Sequence, residues 1–422
     1  NFAKNVFNLL FIILLTLVLV AEIFMPQLIF LIAPGFYKDP DKLKLAVDLS
    51  RITFPFLFFI CLASFFGAIL NSYNKFAVAS AAPIILNVVL IIALFFSQGV
   101  NPSDVIILAY GVSLAGFLQL ILLLFFVRKN FKPILSIKIK IDNKVKFFFQ
   151  KLLPSIFSSG VTQINILVGT IIASFQAGAV SYLYYADRVY QINLAVAGIA
   201  VGTVMLPELS KHVQKGNTEE IINLQNRALE LCLFLSLPAA VALVLASEQI
   251  ITSLFGYGSF SSESVINTAK ALTFFAFGVP AFSLLKILST YFFARNDTKT
   301  PFYLSVISVF LNIIISLSFF SKIGFIIIPI ATSVSSWINV FFHLYIIKKR
   351  NFFNLDKNFT YKFPRTILSV VVMGIILYLL LGLFSDKFDY NESWKFIYLF
   401  IIVTISLFGY FLISNFSGAF KF

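Results

Sequence analysis

The chain is 422 residues long, 59% hydrophobic and only 12% charged, with a formal net charge of +14 at pH 7 and a mean hydropathy of +0.95. A soluble domain carries about 25% charged residues, so this composition excludes a chain whose solvent is water. The basic residues lie in loops between apolar runs. They read as a membrane-orientation bias with some attraction to anionic lipid, and no nucleic-acid partner is expected.

Apolar runs of roughly 20 residues, the length that crosses about 30 Å of hydrocarbon as helix, recur along the chain. Twelve spans are predicted, at about 5–26, 46–70, 77–97, 104–127, 150–175, 182–206, 227–247, 268–293, 301–320, 324–347, 364–384 and 394–414. The first is too long for a signal-peptide core and lacks a clear cleavage site. Cys61 and Cys232 both fall inside apolar runs and read as small buried hydrophobes, with no metal spacing or disulfide framework.

The loop from Arg128 to Lys151 holds eight basic residues and one acid, and that from Lys348 to Arg365 holds six basic residues. Six spans separate these loops, so both belong to one face, which collects 22 of the 32 Lys and Arg. That face is expected to be cytoplasmic, and with it both ends of the chain.

Residues 26–87 and 247–312 share a pattern: Gly35 corresponds to Gly256 and Thr53 to Thr273. The polar turns NSYNKF (71–76) and ARNDTKTPF (294–302) follow, and then Asn87 and Asn312. A repeat of about 220 residues and six helices implies parallel bundles related by a pseudo-two-fold axis along the membrane normal, as in many transporters. The second copy has six spans before Lys348 and the first only four before Arg128. Two further helices are therefore expected ahead of residue 1, for fourteen in the complete protein.

The stretches ITFPFLFFICLASFFGAILNSYNKFAVASAAPIILN (52–87), SYLYYADRVYQINLAVAGIAVGTVMLPELSKH (181–212), LFGYGSF (254–260) and YFFARNDTKTP (291–301) resemble the MurJ (MviN) family of lipid II flippases. This family lies within the multidrug/oligosaccharidyl-lipid/polysaccharide exporter group, and the resemblance runs from its third helix to its fourteenth. It implies an all-α integral membrane protein with two six-helix lobes around a central cationic cavity, and two last helices forming a groove for a lipid tail. The expected layout is an N-terminal lobe at 1–127, a basic cytoplasmic linker at 128–149 and a C-terminal lobe at 150–347. A basic loop at 348–363 and the tail-groove helices at 364–422 complete it. The implied substrate is lipid II, the undecaprenyl-pyrophosphate-linked peptidoglycan precursor, moved to the periplasmic leaflet of the bacterial inner membrane. Membrane lipids and cell-wall synthesis proteins are the other expected partners.

Ionisable residues inside spans are costly and mark function by default. Asp187 and Arg188 stand in the family's YADR motif, as Tyr185-Ala186-Asp187-Arg188, and the resemblance implies that the arginine lines the substrate cavity. A guanidinium suits a pyrophosphate because its fork of donors holds two oxygens at once. Asp187 is a further substrate-binding candidate, or else orients Arg188; the bland reading is an ion pair at the membrane edge. Lys286 lies in mid-span, too deep to snorkel easily, and is expected to face the cavity or bridge helices. Arg51 reads as an interfacial anchor and His343 as a packed histidine, while Gln163, Asn165, Asn87 and Asn312 read as interhelical hydrogen-bond glue. Pro55, Pro83, Pro154, Pro280, Pro301 and Pro329, with Gly198 and Gly202, permit bends.

No cofactor is identified, and no catalytic or nucleotide-binding motif is present. Membrane potential, protons and sodium stay open as drivers; the spans 150–175, 301–320 and 324–347 carry no Asp or Glu of the kind that binds sodium in some members. The rival readings are a flippase for another polyprenyl-linked oligosaccharide such as O-antigen, a drug exporter of the same fold, and a scaffold that binds lipid II without moving it.

Overall fold

The computed structural model describes residues 2–97, 102–129, 131–135 and 143–420. Every regular element among them is helical, as lipid demands, because a helix closes its own backbone hydrogen bonds. The chain divides into two compact units, Asn1–Ser159 and Gly160–Phe422. The division falls inside one long helix rather than in the linker at 128–149, part of which (136–142) lies outside the described residues.

The first unit comprises α1 (Phe2–Ile23), α2 (Met25–Ile32), α3 (Pro40–Thr53), α4 (Pro55–Ser72), α5 (Phe76–Phe96), α6 (Pro102–Val127) and the start of α7 (Asn143–Ala173). Its core is a phenylalanine cluster in which Phe7 stacks on Phe66 at 5.5 Å, with Leu62, Leu70, Leu123 and Val127 buried around them. Proline 55 ends α3 because it offers no N–H to the preceding turn. At that break the Ser113 hydroxyl of α6 donates to the Ile52 carbonyl.

The second unit continues with α8 (Ala179–Leu194), a π-helical turn (Ala195–Ala200), α9 (Val201–Lys215), α10 (Thr218–Leu245) and α11 (Ser247–Phe255). Then come α12 (Ser262–Ala276), α13 (Val279–Phe293), α14 (Lys299–Ile323), α15 (Ile327–Lys349), α16 (Lys357–Leu383) and α17 (Lys395–Ser417). Helix α13 lies at its centre: Ile287, Leu288, Tyr291 and Phe292 are fully buried. The break between α12 and α13 bends the pair by 41°. There the Ser333 hydroxyl donates to the Phe274 carbonyl at 2.6 Å and the Trp337 indole to the Phe277 carbonyl at 2.9 Å.

Among the described residues nine helical stretches are long and apolar enough to cross a bilayer, ten if the bent pair forms one span, against the twelve expected. One of the nine, the 51-residue stretch Lys299–Lys349, is α14 folded back on α15. Asn312 Nδ2 donates to Thr332 Oγ1 at 3.0 Å and Ser308 Oγ to the Ser335 carbonyl at 3.1 Å, an antiparallel pairing. The expected span at 150–175 falls on α7, where the side chains of 151–159, Pro154 among them, lie outside the described residues.

The repeat is visible in the order of elements. A short helix, a second helix, a break with proline at its far side and two further helices recur as α2–α5 and α11–α14. The turn after the third helix is the same in both. Asn74 and Asn296 are left-handed, with φ of 60° and 58°. The following N–H reaches back five residues, from Lys75 to the Leu70 carbonyl and from Asp297 to that of Phe292. Asparagine tolerates this conformation better than any other residue with a Cβ, which is why it ends these helices.

At the second turn a polar knot holds the loop after α15. Arg350 pairs with Asp297 at 2.5 Å, Arg295 donates to the Tyr291 and Phe352 carbonyls at 2.7 and 3.2 Å, and Asn226 Nδ2 donates to the Asn354 carbonyl at 2.9 Å. Burial pushes the Asp297 carboxyl up, but donation from Thr300 and the Arg350 guanidinium outweighs it and holds the group below the usual 3.8.

Two outcomes are expected. Asn296→Gly leaves thermal stability in detergent near the parent value, whereas Asn296→Val lowers it by about 1–2 kcal/mol, the cost of a left-handed β-branched residue; equal stabilities for the two would contradict the turn. Because the Asp297 carboxyl is depressed, its stabilisation is present above the usual value and lost as pH falls through the folded one. Acid unfolding of Asp297→Asn is therefore less steep than that of the parent below about pH 4, and parallel curves would remove the ion pair from the account.

Candidate functional site

Arg188 is exposed on α8, nine residues into a stretch of 37. Its guanidinium lies over the Tyr184 ring at 4.8 Å, one helical turn earlier, where an i,i+4 pair meets on one face. Among the described residues it has no ion-pair partner. Asp187, expected either to touch substrate or to orient the arginine, is half-buried and turned to other groups: Gln191 Nε2 donates to its Oδ2, and the Tyr190 hydroxyl also bonds it. The structural ion pair therefore does not form, and Tyr184 is the side chain that holds Arg188. Sequence reasoning passed over Tyr184, although its spacing from Arg188 was legible.

Lys286 is exposed on α13 between buried neighbours. A methyl group added at Gly198 would meet the Ser283 Cα at 3.0 Å and the Lys286 Cγ at 3.4 Å. The lysine stem thus crosses the π turn at its glycine, where a side chain would push α13 away. A π turn widens the backbone by one residue and commonly marks functional positions. Ten residues separate Arg188 from Gly198, roughly 15 Å of helix, so the Lys286 stem meets this helix about three turns from the arginine.

On another side α8 borders an apolar groove of ≈ 450 Å³. Its walls are Val189, Ile192 and Val196 beside α8, Leu235, Pro238, Ala239 and Leu243 of α10, Met373 and Leu377 of α16, and Val403, Leu407 and Tyr410 of α17. The groove thus needs α8 and α10 as well as the two last helices named by the resemblance. Pro238 leaves the Phe234 carbonyl without its usual helical donor, and the Tyr410 hydroxyl supplies one at 2.8 Å, fastening α17 to α10.

The remaining candidates are structural. His343 is buried against Phe292 and its Nδ1 donates to the Asn339 carbonyl at 3.0 Å. Asn312 ties α14 to α15 as expected, whereas Asn87 and Gln163 are exposed. Arg51 is exposed on α3, close enough to Glu22 to act on its charge.

A family model described as lipid II flippase MurJ matches residues 1–400. A probable lipid II flippase of Rhizobium meliloti (strain 1021) is 38% identical over 382 residues, covering 90% of this chain and 71% of the relative. That of Rickettsia prowazekii (strain Madrid E) is 34% identical over 410 residues, covering 97% and 79%. A solved lipid II flippase in an inward closed conformation superposes with a TM-score of 0.82 at 29% identity, covering 98% of this chain and 83% of the other. An inward-facing multidrug transporter of the MATE family reaches 0.69 at 14% identity over 82% of this chain and 80% of its own, a likeness of fold alone. The match over residues 1–400, with relatives this similar along most of their length, makes this chain a member of the MurJ family of lipid II flippases.

Proposed function

We propose that this protein carries lipid II from the cytoplasmic to the periplasmic leaflet of the bacterial inner membrane by alternating access. The observation that carries the reading is Arg188: an exposed guanidinium, stacked on Tyr184 and without a carboxylate partner among the described residues, in a helix of the family's YADR motif. An unpaired arginine at membrane depth is expensive and draws an anion. A pyrophosphate presents paired oxygens to its fork of donors. Lys286, whose stem crosses the π turn at Gly198, takes a second charge of the head group, and Asp187 acts by holding Gln191 and Tyr190.

The polyprenyl tail stays in lipid, along the groove bounded by α10, α16 and α17. Head group and tail thus occupy different sides of α8. The two six-helix lobes rock about the loaded site, with the C-terminal helix pair moving alongside the second lobe. Both ends of the chain lie in the cytoplasm, beside the basic loops, and cell-wall synthesis proteins take the product outside. The three candidate drivers remain membrane potential, protons and sodium.

The test is lipid II exposure on the outer leaflet of cells depleted of their own flippase and expressing this protein. The parent restores exposure. Arg188→Ala lowers it about 10–100-fold, the worth of charge-assisted hydrogen bonds, and Arg188→Lys falls between. Failure of a well-inserted parent would remove lipid II as substrate and turn attention to other polyprenyl-linked glycans. Retained lipid II binding without leaflet exchange would identify a scaffold. In the same assay Tyr184→Phe keeps the ring beneath Arg188 and most of the transport, whereas Tyr184→Leu loses several-fold. Ala239→Trp fills the groove and slows flipping while leaving the soluble head group's affinity unchanged; normal flipping by this variant would place the tail elsewhere.

A further inference from the structure

Two of the stretches that carry the family resemblance, LFGYGSF (254–260) and YADR (185–188), meet in the second unit. Tyr185, half-buried in the first half of α8, packs against two rings of the α11–α12 loop: Phe255 at 4.9 Å between centroids and Phe260 at 5.1 Å. The two phenylalanines lie 6.0 Å from each other, so the three rings close into one cluster. Tyr184, whose face carries Arg188, stands edge-on to Tyr185 at 6.1 Å. Three residues, roughly 4.5 Å of helix rise, separate Tyr185 from Arg188.

The loop that supplies these rings is held from α17. Lys395, at the start of that helix, is fully buried and makes no ion pair among the described residues. Its Nζ donates to the Gly256 and Tyr390 carbonyls at 2.7 Å each, 4.0 Å from the Tyr257 ring centroid and 5.1 Å from that of Tyr390. The Tyr390 hydroxyl in turn donates to the Phe260 carbonyl at 2.9 Å, and Ser253 Oγ donates to the Lys395 carbonyl at 3.3 Å. One lysine thus latches both ends of the loop: Gly256, next to Phe255, directly, and Phe260 through Tyr390. Gly256 leaves no room for a side chain, since a Cβ there would meet the Thr252 carbonyl oxygen at 2.6 Å.

Burying an ammonium is costly even among carbonyls and ring faces, and a methionine of similar length would fill the same space without that cost. Packing alone gives no reason for the charge. Fixing the loop does.

We propose that Lys395 is a positioning residue for transport. Its ammonium sets the α11–α12 loop, Phe255 and Phe260 set Tyr185, and Tyr185 sets the angle at which α8 presents Tyr184 and Arg188 to a pyrophosphate. Helix α17, which walls the apolar groove, is thereby tied to the arginine that takes the head group. The proposal rests on the reading of Arg188 given above, and the experiment separates the two.

The test is calorimetry on the intact protein in detergent with farnesyl pyrophosphate as probe. Lys395→Met weakens binding about tenfold, the scale of a small misplacement of a binding group. Tyr390→Phe, which deletes one hydroxyl and keeps the ring, weakens it several-fold and carries the same comparison without loss of a buried charge. Lys387→Met, on the same connection but over the Tyr398 ring, leaves it unchanged. In an Arg188→Ala background Lys395→Met and Tyr390→Phe weaken binding no further, because both act through the arginine; residues with a merely structural role would weaken both backgrounds alike. A second measurement needs no ligand: the fluorine resonance of 3-fluorotyrosine incorporated at position 185 moves in Lys395→Met and Tyr390→Phe and stays in place in Lys387→Met. An unmoved resonance, or equal losses in the two backgrounds, overturns the proposal. Probe binding untouched by Arg188→Ala, with the resonance still moved, removes the arginine reading and leaves Lys395 as the residue that positions Tyr185.

Discussion

Hydrocarbon offers a backbone nothing to bond with, and the rest of this structure follows from that one constraint. It makes every described element a helix and turns each helix break into a site that another side chain must complete. Where proline 238 removes a donor, Tyr410 provides one. Where α12 ends, Ser333 and Trp337 attend to the carbonyls left at the bend. The contacts that fasten α15 to α12 and α17 to α10 are therefore repairs of backbone irregularities as much as packing. The irregularities set where the second unit is stitched together.

Against that background the side chains that take no internal partner stand out. Asp187 is absorbed by Gln191 and Tyr190, and Lys395 by two carbonyls. Among the described residues Arg188 meets an aromatic face and no carboxylate, which orients a guanidinium while leaving its donors open. The same contrast separates His343, closed in by Phe292 and the Asn339 carbonyl, from Lys286, whose stem crosses Gly198 and whose charge stays exposed. Polar residues on these helices thus divide into those satisfied by the fold and those left exposed.

Much of this was legible in the residues. Apolar run length gave the helical class, and the recurrence of Gly35 and Thr53 as Gly256 and Thr273 gave the repeat, which reappears in the structure as two left-handed asparagines in equivalent turns. The YADR tetrad drew attention to Arg188. Run length could not reveal that Asp187 turns aside, because adjacent residues on a helix point about 100° apart and their partners lie on neighbouring turns. The α10 wall of the groove depends on packing between residues far apart in the chain, which local pattern does not convey. The latch of Lys395 joins residues 139 apart, beyond what local pattern conveys.

The position of α8 between two surfaces has a mechanical corollary. With 100° per residue, Ile192 stands about 40° around the helix from Arg188 and Asn193 about 140°, so the groove wall begins almost where the charged face ends. A helix is stiff in torsion, and these residues share one rod. Any twist of α8 that withdraws the guanidinium must also sweep its apolar flank through the neighbouring trough, and the π turn at Ala195–Ala200 interrupts the regular winding just beyond them. On the function proposed above, grip on a polar solute and the width of an oily channel would be geared to the same rotation, with no separate linkage needed.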